Sequence, residues 1–143
     1  MIRVANEPGA LAKVAAAISD AGVNIAGAAC IGSGDVADLH VLVKHAEATR
    51  RVLEPAGLTV TEEREVVVVD ADDRPGVLAD LARNVADAGV NLNLVYVATG
   101  TRIVFGADDI GALRAALGVA DDEGQPPTVP GVGEVEVPTG RLL

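Results

Sequence analysis

The chain has 143 residues, half of them hydrophobic, and a formal net charge of −10. This length allows one ordinary domain or two very small ones, and the negative charge disfavours nucleic acid as a partner because phosphates would repel it. Tyr96 and Phe105 are the only aromatic residues and Cys30 is the only cysteine, which excludes a stacking platform for bases, an internal disulfide and a cysteine-rich metal site.

The apolar runs are too short for a membrane. None approaches the ~20 residues of a spanning helix, and Asn6, Glu7 and Pro8 interrupt the early apolar stretch that a signal peptide needs. We therefore expect a soluble, cytoplasmic protein with no membrane partner. Cys30 lies in an apolar run and is predicted to be a buried, inert thiol.

The first 63 residues predict a βαββαβ order, the ferredoxin-like arrangement. After a strand at 1–5 and the breakers Pro8 and Gly9, apolar residues recur with the spacing of one buried helix face: Leu11, Val14, Ala15, Ile18. Gly22 ends this helix. The remaining elements are predicted as strands at 23–31 and 39–43 around a turn at 32–35, a polar helix at 47–56, and a strand at 58–62.

The chain then repeats itself. PGALAKVAAAISDAGVNI at 8–25 aligns without a gap with PGVLADLARNVADAGVNL at 75–92, a shift of 67 residues (75 − 8). The second copy predicts a buried strand at 65–71, a helix that ends at Gly89, a hairpin of strands at 92–98 and 102–106, and a helix at 108–117. We therefore predict a first repeat at 1–63, a second at 64–118, and an acidic, Pro- and Gly-rich tail at 119–143.

The tail leaves one element open. The βαββαβ order requires a last strand after Leu117, but the sequence there is rich in turn residues. Alternation returns only at 132–137. Either this segment supplies the final strand after a long detour, which we favour, or the tail is mobile.

Both copies of the repeated phrase resemble the ACT domain, a small amino-acid-binding regulatory module. The resemblance rests on NEPGAL with AGVNI in the first copy and on DRPGVL with AGVNL in the second, and it covers roughly residues 1–118. The chain is most similar to the stand-alone tandem type, which has no catalytic domain. The resemblance implies an α+β fold of two ferredoxin-like repeats with helices on one face, an eight-stranded sheet formed by pairing of two domains, and an amino acid bound at the seam between domains.

The repeated phrase has a physical reason to bind a zwitterion. The first N–H groups of a helix have no partner inside the helix, and the helix dipole makes this end positive, so a carboxylate fits there. Gly9 and Gly76 let a ligand approach the backbone, and Pro8 and Pro75 fix the start of each helix.

The resemblance implies asparagine contacts to the ligand at Asn6 and Asn24. The second copy has Asp73 and Asn91 at these positions, and Asp73 would repel a carboxylate. As alternatives, Asn6 and Asp73 cap their helices, and Asn24 and Asn91 only close turns. The candidate ligand-binding residues are Asn6, Glu7, Pro8, Gly9, Ala10, Leu11, Asn24, Ile25, Asp73, Arg74, Gly76, Val77, Leu78 and Asn91.

These patterns favour a non-catalytic sensor that binds a branched-chain or small polar amino acid and regulates amino-acid metabolism. The alternative is a regulatory subunit that binds a separate metabolic enzyme and has no ligand of its own. We predict a homodimer, because valine-rich sheets leave edges that favour a two-fold partner. The sequence shows no pair of residues that would act as general acid and base, so catalysis is not predicted. No cofactor is predicted either. His40 and His45 have no metal spacing, and the acidic residues at 70–73 predict a solvated turn.

Overall fold

The computed structural model describes residues 1–119 and 141–142. This described part is α+β, with antiparallel sheets and four α-helices. Its elements are β1 (Ile2–Ala5), α1 (Ala10–Asp20), β2 (Gly27–Ser33), β3 (Val36–Val43), α2 (Ala46–Leu53), a 3₁₀ turn (Glu54–Ala56), β4 (Arg64–Glu65), β5 (Val67–Asp70), α3 (Val77–Asp87), β6 (Leu92–Ala98), β7 (Arg102–Ala107), α4 (Ile110–Leu117) and β8 (Arg141–Leu142).

The contacts within the chain divide it into two compact units. The first unit comprises residues 1–64 together with the C-terminal strand β8, and the second begins at Glu65. No helix within the described ranges is long and apolar enough to cross a membrane.

The sheet of the first unit is built around β3. β2 pairs antiparallel with β3 along one edge, and β1 and then β8 pair with it along the other. Alternate residues of β3 face the same side of the sheet, and Leu39, Val41 and Val43 pack there against buried residues of α1 and α2 such as Ile18 and Leu53. Both helices of this unit therefore lie on one face of its sheet, as predicted.

Two strand predictions in the first unit are wrong. β2 begins at Gly27 instead of residue 23, because the Val23 amide closes α1 on the Ile18 carbonyl (3.2 Å) and the first cross-strand bond is made by Ala26 to Leu42 (2.9 Å). The strand predicted at 58–62 is reduced to a single bridge between Val60 and Ile2. β8 pairs with the end of β3 instead, and Leu142 is fully buried. The strand predicted at 132–137 lies outside the described residues.

The sheet of the second unit has β7 at its centre, between β5 and β6. Phe105 of β7 is opposite Val67 on one side and Val95 on the other. Its ring is fully buried with Val85 of α3 and Leu113 of α4. The predicted hairpin and both predicted helices are confirmed within one to two residues of their bounds. The eight-stranded sheet stays a prediction.

Three burial predictions are corrected. Leu11 is 52% exposed because it lies in the first turn of α1, one turn before Val14, where the core cluster begins. Leu78 has the matching position in α3 and is 43% exposed. Cys30 is exposed as well, because β2 is an edge strand that pairs only with β3 among the described strands.

Candidate functional site

The N-terminus of α1 carries no side-chain cap from the described residues. Gly9 is the cap residue, with φ 92° and ψ −15°, a left-handed conformation that favours glycine. The Ala10 amide donates to the Glu7 carbonyl at 3.3 Å and the Lys13 amide donates to the Gly9 carbonyl at 2.9 Å. Between them, the amides of Leu11 and Ala12 have no acceptor within the described part of the chain. The N-terminus of α1, called its tip below, therefore presents two backbone hydrogen-bond donors without an acceptor.

The N-terminus of α3 has the same backbone. Gly76 caps it with φ 91° and ψ −13°, again without a side-chain cap from residues that the structure describes. Its surroundings differ, because the Arg74 guanidinium lies 3.3 Å from an Asp80 carboxylate oxygen and 3.9 Å from Asp72. The second tip is therefore bordered by an exposed cluster of charges that the first tip lacks.

The fourth helix shows what a capped helix looks like in this protein. An Asp109 carboxylate oxygen accepts a hydrogen bond from the Ala112 amide at 2.9 Å, which satisfies one of the first N–H groups of α4. Neither Asn6 nor Asp73 makes such a bond. The interpretation of Asn6 and Asp73 as helix caps is therefore wrong, and α1 and α3 begin with unfilled tips.

Asn6 is instead held by the turn between β2 and β3. Its side-chain Nδ2 donates to the Gly34 carbonyl at 3.0 Å, and its backbone amide donates to the Asp35 carbonyl at 2.9 Å. The sequence predicted a turn at 32–35 but not its contact with Asn6. The signal was the pair of glycines, Gly32 and Gly34, on either side of Ser33.

Asn24 and Asn91 are exposed, and their side chains form no hydrogen bond to a described residue. Backbone groups close the helices before them: Gly22 donates to Ser19 at 2.8 Å, and Gly89 donates to Ala86 at 2.9 Å. The turns are therefore closed without these amides, and the interpretation of the two asparagines as turn-closing residues is wrong. Each amide is free to meet a ligand.

The structure separates Asn6 from Asn24 within the first unit. They lie beyond opposite ends of α1, whose 11 residues span about 16 Å. The chain next to Asn6 is bonded to Asp35 and the chain next to Asn24 is bonded at Leu42, seven residues along the hairpin, or about 23 Å. One small amino acid therefore cannot contact both asparagines of the same unit.

The remaining candidates lie around the two tips. Glu7, Pro8 and Leu11 are exposed beside the first tip, and a Cβ at Gly9 would have no atom within 4 Å, so the space in front of it is open. Ala10 is half-buried, and Ile25 packs against the core of the first unit. In the second unit, Asp73, Arg74 and Leu78 are exposed and Val77 packs against the core.

Two buried polar atoms lie away from these tips. His40 Nδ1 and the Tyr96 hydroxyl are buried and have no hydrogen-bond partner among the described residues. Burial lowers the pKa of His40 and raises the pKa of Tyr96, because it disfavours the charged form of each side chain. No group of three or more His, Cys, Asp or Glu side chains suitable for a metal ion is found in the described ranges.

Comparison with known proteins shows the fold and one matched domain. Residues 1–54 match the model of the ACT domain. A solved structure of a protein from Bacteroides thetaiotaomicron is similar with a TM-score of 0.69 and 16% identity, over 82% of this chain and 83% of that chain. No curated protein matches.

Two further solved structures are regulatory subunits of aspartate kinase. That from Thermus thermophilus, in a ligand-free form, has a TM-score of 0.58 and 21% identity, and that from Thermus flavus has a TM-score of 0.52 and 22% identity. Each similarity covers 82% of this chain and 86% of the other. At such identities the likeness shows the fold, and residues 1–54 additionally show the ACT sequence pattern.

Proposed function

We propose that this chain is a non-catalytic regulatory protein that binds a free amino acid at the N-terminus of α1 and regulates amino-acid metabolism. The observation that carries the proposal is the unfilled tip of α1: two backbone donors at Leu11 and Ala12, a glycine cap, and open space in front of it. The match of residues 1–54 to a domain family of amino-acid-binding regulators supports it.

The tip suits the carboxylate of an amino acid. Backbone N–H groups and the positive end of the helix dipole stabilise an anion without a charged side chain. The exposed Leu11 offers an apolar contact to the ligand side chain. A branched-chain or small polar amino acid is therefore the expected ligand.

The second tip is the weaker site. Asp73 replaces Asn6 there, and Arg74 is already paired with carboxylates. The predicted seam, at which Asn24 of a neighbouring domain would meet the ligand, stays a prediction. The homodimer, the cytoplasmic location and the division into repeats at 1–63 and 64–118 also stay predictions.

Isothermal titration against each of the twenty amino acids tests the proposal, and Ala12→Glu sharpens it. Ala12 is exposed at the third helical position, where a glutamate suits the helix dipole, places a carboxylate at the tip, and repels that of the ligand. We expect affinity to fall about tenfold or more, a loss of about 1.4 kcal/mol, without loss of stability.

Ala79→Glu is the matched control, because Ala79 has the same position in α3 and is also exposed. It should leave binding at the first tip unchanged. Absence of binding across the whole panel at millimolar concentration would reject the proposal. Equal effects of the two substitutions would remove the site from the tip of α1.

The second candidate function is a regulatory subunit that acts by sheet pairing and has no ligand of its own. It is favoured by the apolar side chains exposed on edge strands: Val97 of β6 is 66% exposed and Ile31 of β2 is 62% exposed. Exposed strand edges with apolar side chains are templates for pairing with another chain.

Sedimentation of the wild type and Val97→Glu tests this function. If β6 is the pairing edge, the charge shifts an oligomer toward monomer, and the polar edge substitution Ser33→Asp on β2 does not. An oligomer that survives Val97→Glu would exclude β6 as the edge. If calorimetry detects no binding of any of the twenty amino acids and Val97→Glu shifts the oligomer to monomer, this function is favoured over the sensor.

A further inference from the structure

The Asn6 carboxamide lies against the backbone of Gly32 and Gly34, a position called its seat below. Its Nδ2 is bonded to the Gly34 carbonyl at 3.0 Å, and its backbone is fixed by the bond to Asp35. An oxygen turned toward the Gly34 carbonyl would be repelled, so the bond determines which way the amide faces. The Oδ1 atom is left as an acceptor without a partner in the described part of the chain.

Gly32 makes the seat possible. A Cβ added at Gly32 would lie 2.9 Å from Nδ2, 3.1 Å from Oδ1 and 3.2 Å from Cγ of Asn6. These similar short distances show that the carboxamide lies across the bare Gly32 backbone. The φ of Gly32 is outside the left-handed region, unlike that of Gly34 at 60°. Gly32 is therefore required for room, and not for its backbone conformation.

The second unit lacks this arrangement. Asp73 stands at the position of Asn6, and a carboxylate has no N–H to donate. No hydrogen bond from the Asp73 side chain to the following hairpin is present in the described second unit. This arrangement is thus a property of the first unit.

We propose that Gly32 is a positioning residue for the amino-acid site: it seats Asn6 so that Nδ2 is held by Gly34 and Oδ1 faces the ligand ammonium. This inference rests on the proposed function. The tip of α1 supplies donors for the carboxylate, and the seated Asn6 supplies the acceptor that a zwitterion also needs. Gly32 and Gly34 thereby act on the binding site through Asn6.

Gly32→Ala tests this inference without unfolding the unit. The three atoms nearest to the added methyl group all belong to the exposed Asn6 side chain, so we expect Asn6 to move and the backbone to stay. In ¹⁵N-labelled protein, the side-chain NH₂ signals of Asn6 are identified by their absence in Asn6→Ala. We expect these signals to shift in Gly32→Ala and to stay in place in Ser33→Ala, the control at the next residue of β2.

Calorimetry with the twenty amino acids then completes a double-mutant cycle. Gly32→Ala and Asn6→Ala should each weaken binding about 10- to 100-fold, the range for loss of one hydrogen bond to a charged group. Because Gly32 acts through Asn6, Gly32→Ala should have no further effect when Asn6 is already alanine. Ser33→Ala should bind like the wild type.

Separate outcomes overturn the inference and the proposed function. If Asn6 signals shift but affinity does not, or if Gly32→Ala weakens binding equally in the Asn6→Ala background, the positioning role is wrong and the amino-acid site stands. Unshifted Asn6 signals in Gly32→Ala also overturn the positioning role. If the wild type binds none of the twenty amino acids, the proposed function fails and the inference fails with it.

Discussion

At the scale of single residues, one buried hydroxyl among the described residues is left without a hydrogen bond. Tyr96 lies on β6, and its hydroxyl has no hydrogen-bond partner among the described residues. Burial raises its pKa. Since it is the only tyrosine in the chain, its ionisation can be followed by absorbance alone.

We expect Tyr96→Phe to stabilise the protein by about 1 kcal/mol. Leaving a buried donor unsatisfied costs roughly 1–3 kcal/mol, and phenylalanine keeps the ring while removing the hydroxyl. Chemical denaturation measures the change in the free energy of unfolding. Tyr96→Leu, which loses the ring as well, should be destabilising, and a loss of stability in Tyr96→Phe would mean that the hydroxyl has a partner.

At the scale of elements, the four described helices begin in three ways, and α2 begins at His45 without a side-chain cap. α4 is capped by Asp109, while α1 and α3 begin at a left-handed glycine and keep unspent amides. Both copies of the repeated phrase thus begin their helix without a side-chain cap from the described residues.

Alanine substitution separates the two kinds of helix start. Asp109→Ala should lower the free energy of unfolding by about 0.5–2 kcal/mol, the usual cost of losing an N-cap. Asp73→Ala, before α3, should change it by no more than about 0.5 kcal/mol, as for other surface substitutions. Thermal denaturation of both variants provides the measurement. A comparable loss in Asp73→Ala would restore the capping interpretation for the second repeat.

At the scale of the whole molecule, the chain returns to its first unit at the end. β8 pairs with Leu42 and Val43 of β3 in the first unit, although in the sequence it comes after the elements of the second unit. Leu142 is fully buried. The first unit therefore includes a strand more than 75 residues beyond Arg64 (142 − 64 = 78).

We expect Leu142→Ala to lower the free energy of unfolding of the first unit by about 2–5 kcal/mol, as for other buried leucines. Amide exchange in β3 reports on this unit. Leu11→Ala is the control, since Leu11 is 52% exposed and its truncation should cost about 0.5 kcal/mol or less. Unchanged exchange in Leu142→Ala would show that β8 is dispensable for the first unit.

Periodicity and turn residues sufficed for the local structure. The helical spacing of Val14 and Ile18, and of the residues 67 positions later, predicted α1 and α3, and the glycines at 22 and 89 predicted their ends. Residues that are close in the sequence determine where a helix begins and ends and which of its faces is buried, so both can be predicted without the fold. The resemblance of residues 1–54 to the ACT domain was equally readable from the repeated phrase.

Only the tertiary structure decided the pairings between distant residues. Contacts across the fold place β8 beside the end of β3 and hold Asn6 against Gly32 and Gly34. They also separate Asn6 from Asn24 by the length of α1. The same asparagine pattern is compatible with a cap, a turn or a ligand contact. Choosing among them required the position of each amide relative to backbone groups that the sequence places far away, because a hydrogen bond is fixed by distance and direction in space and not by order along the chain.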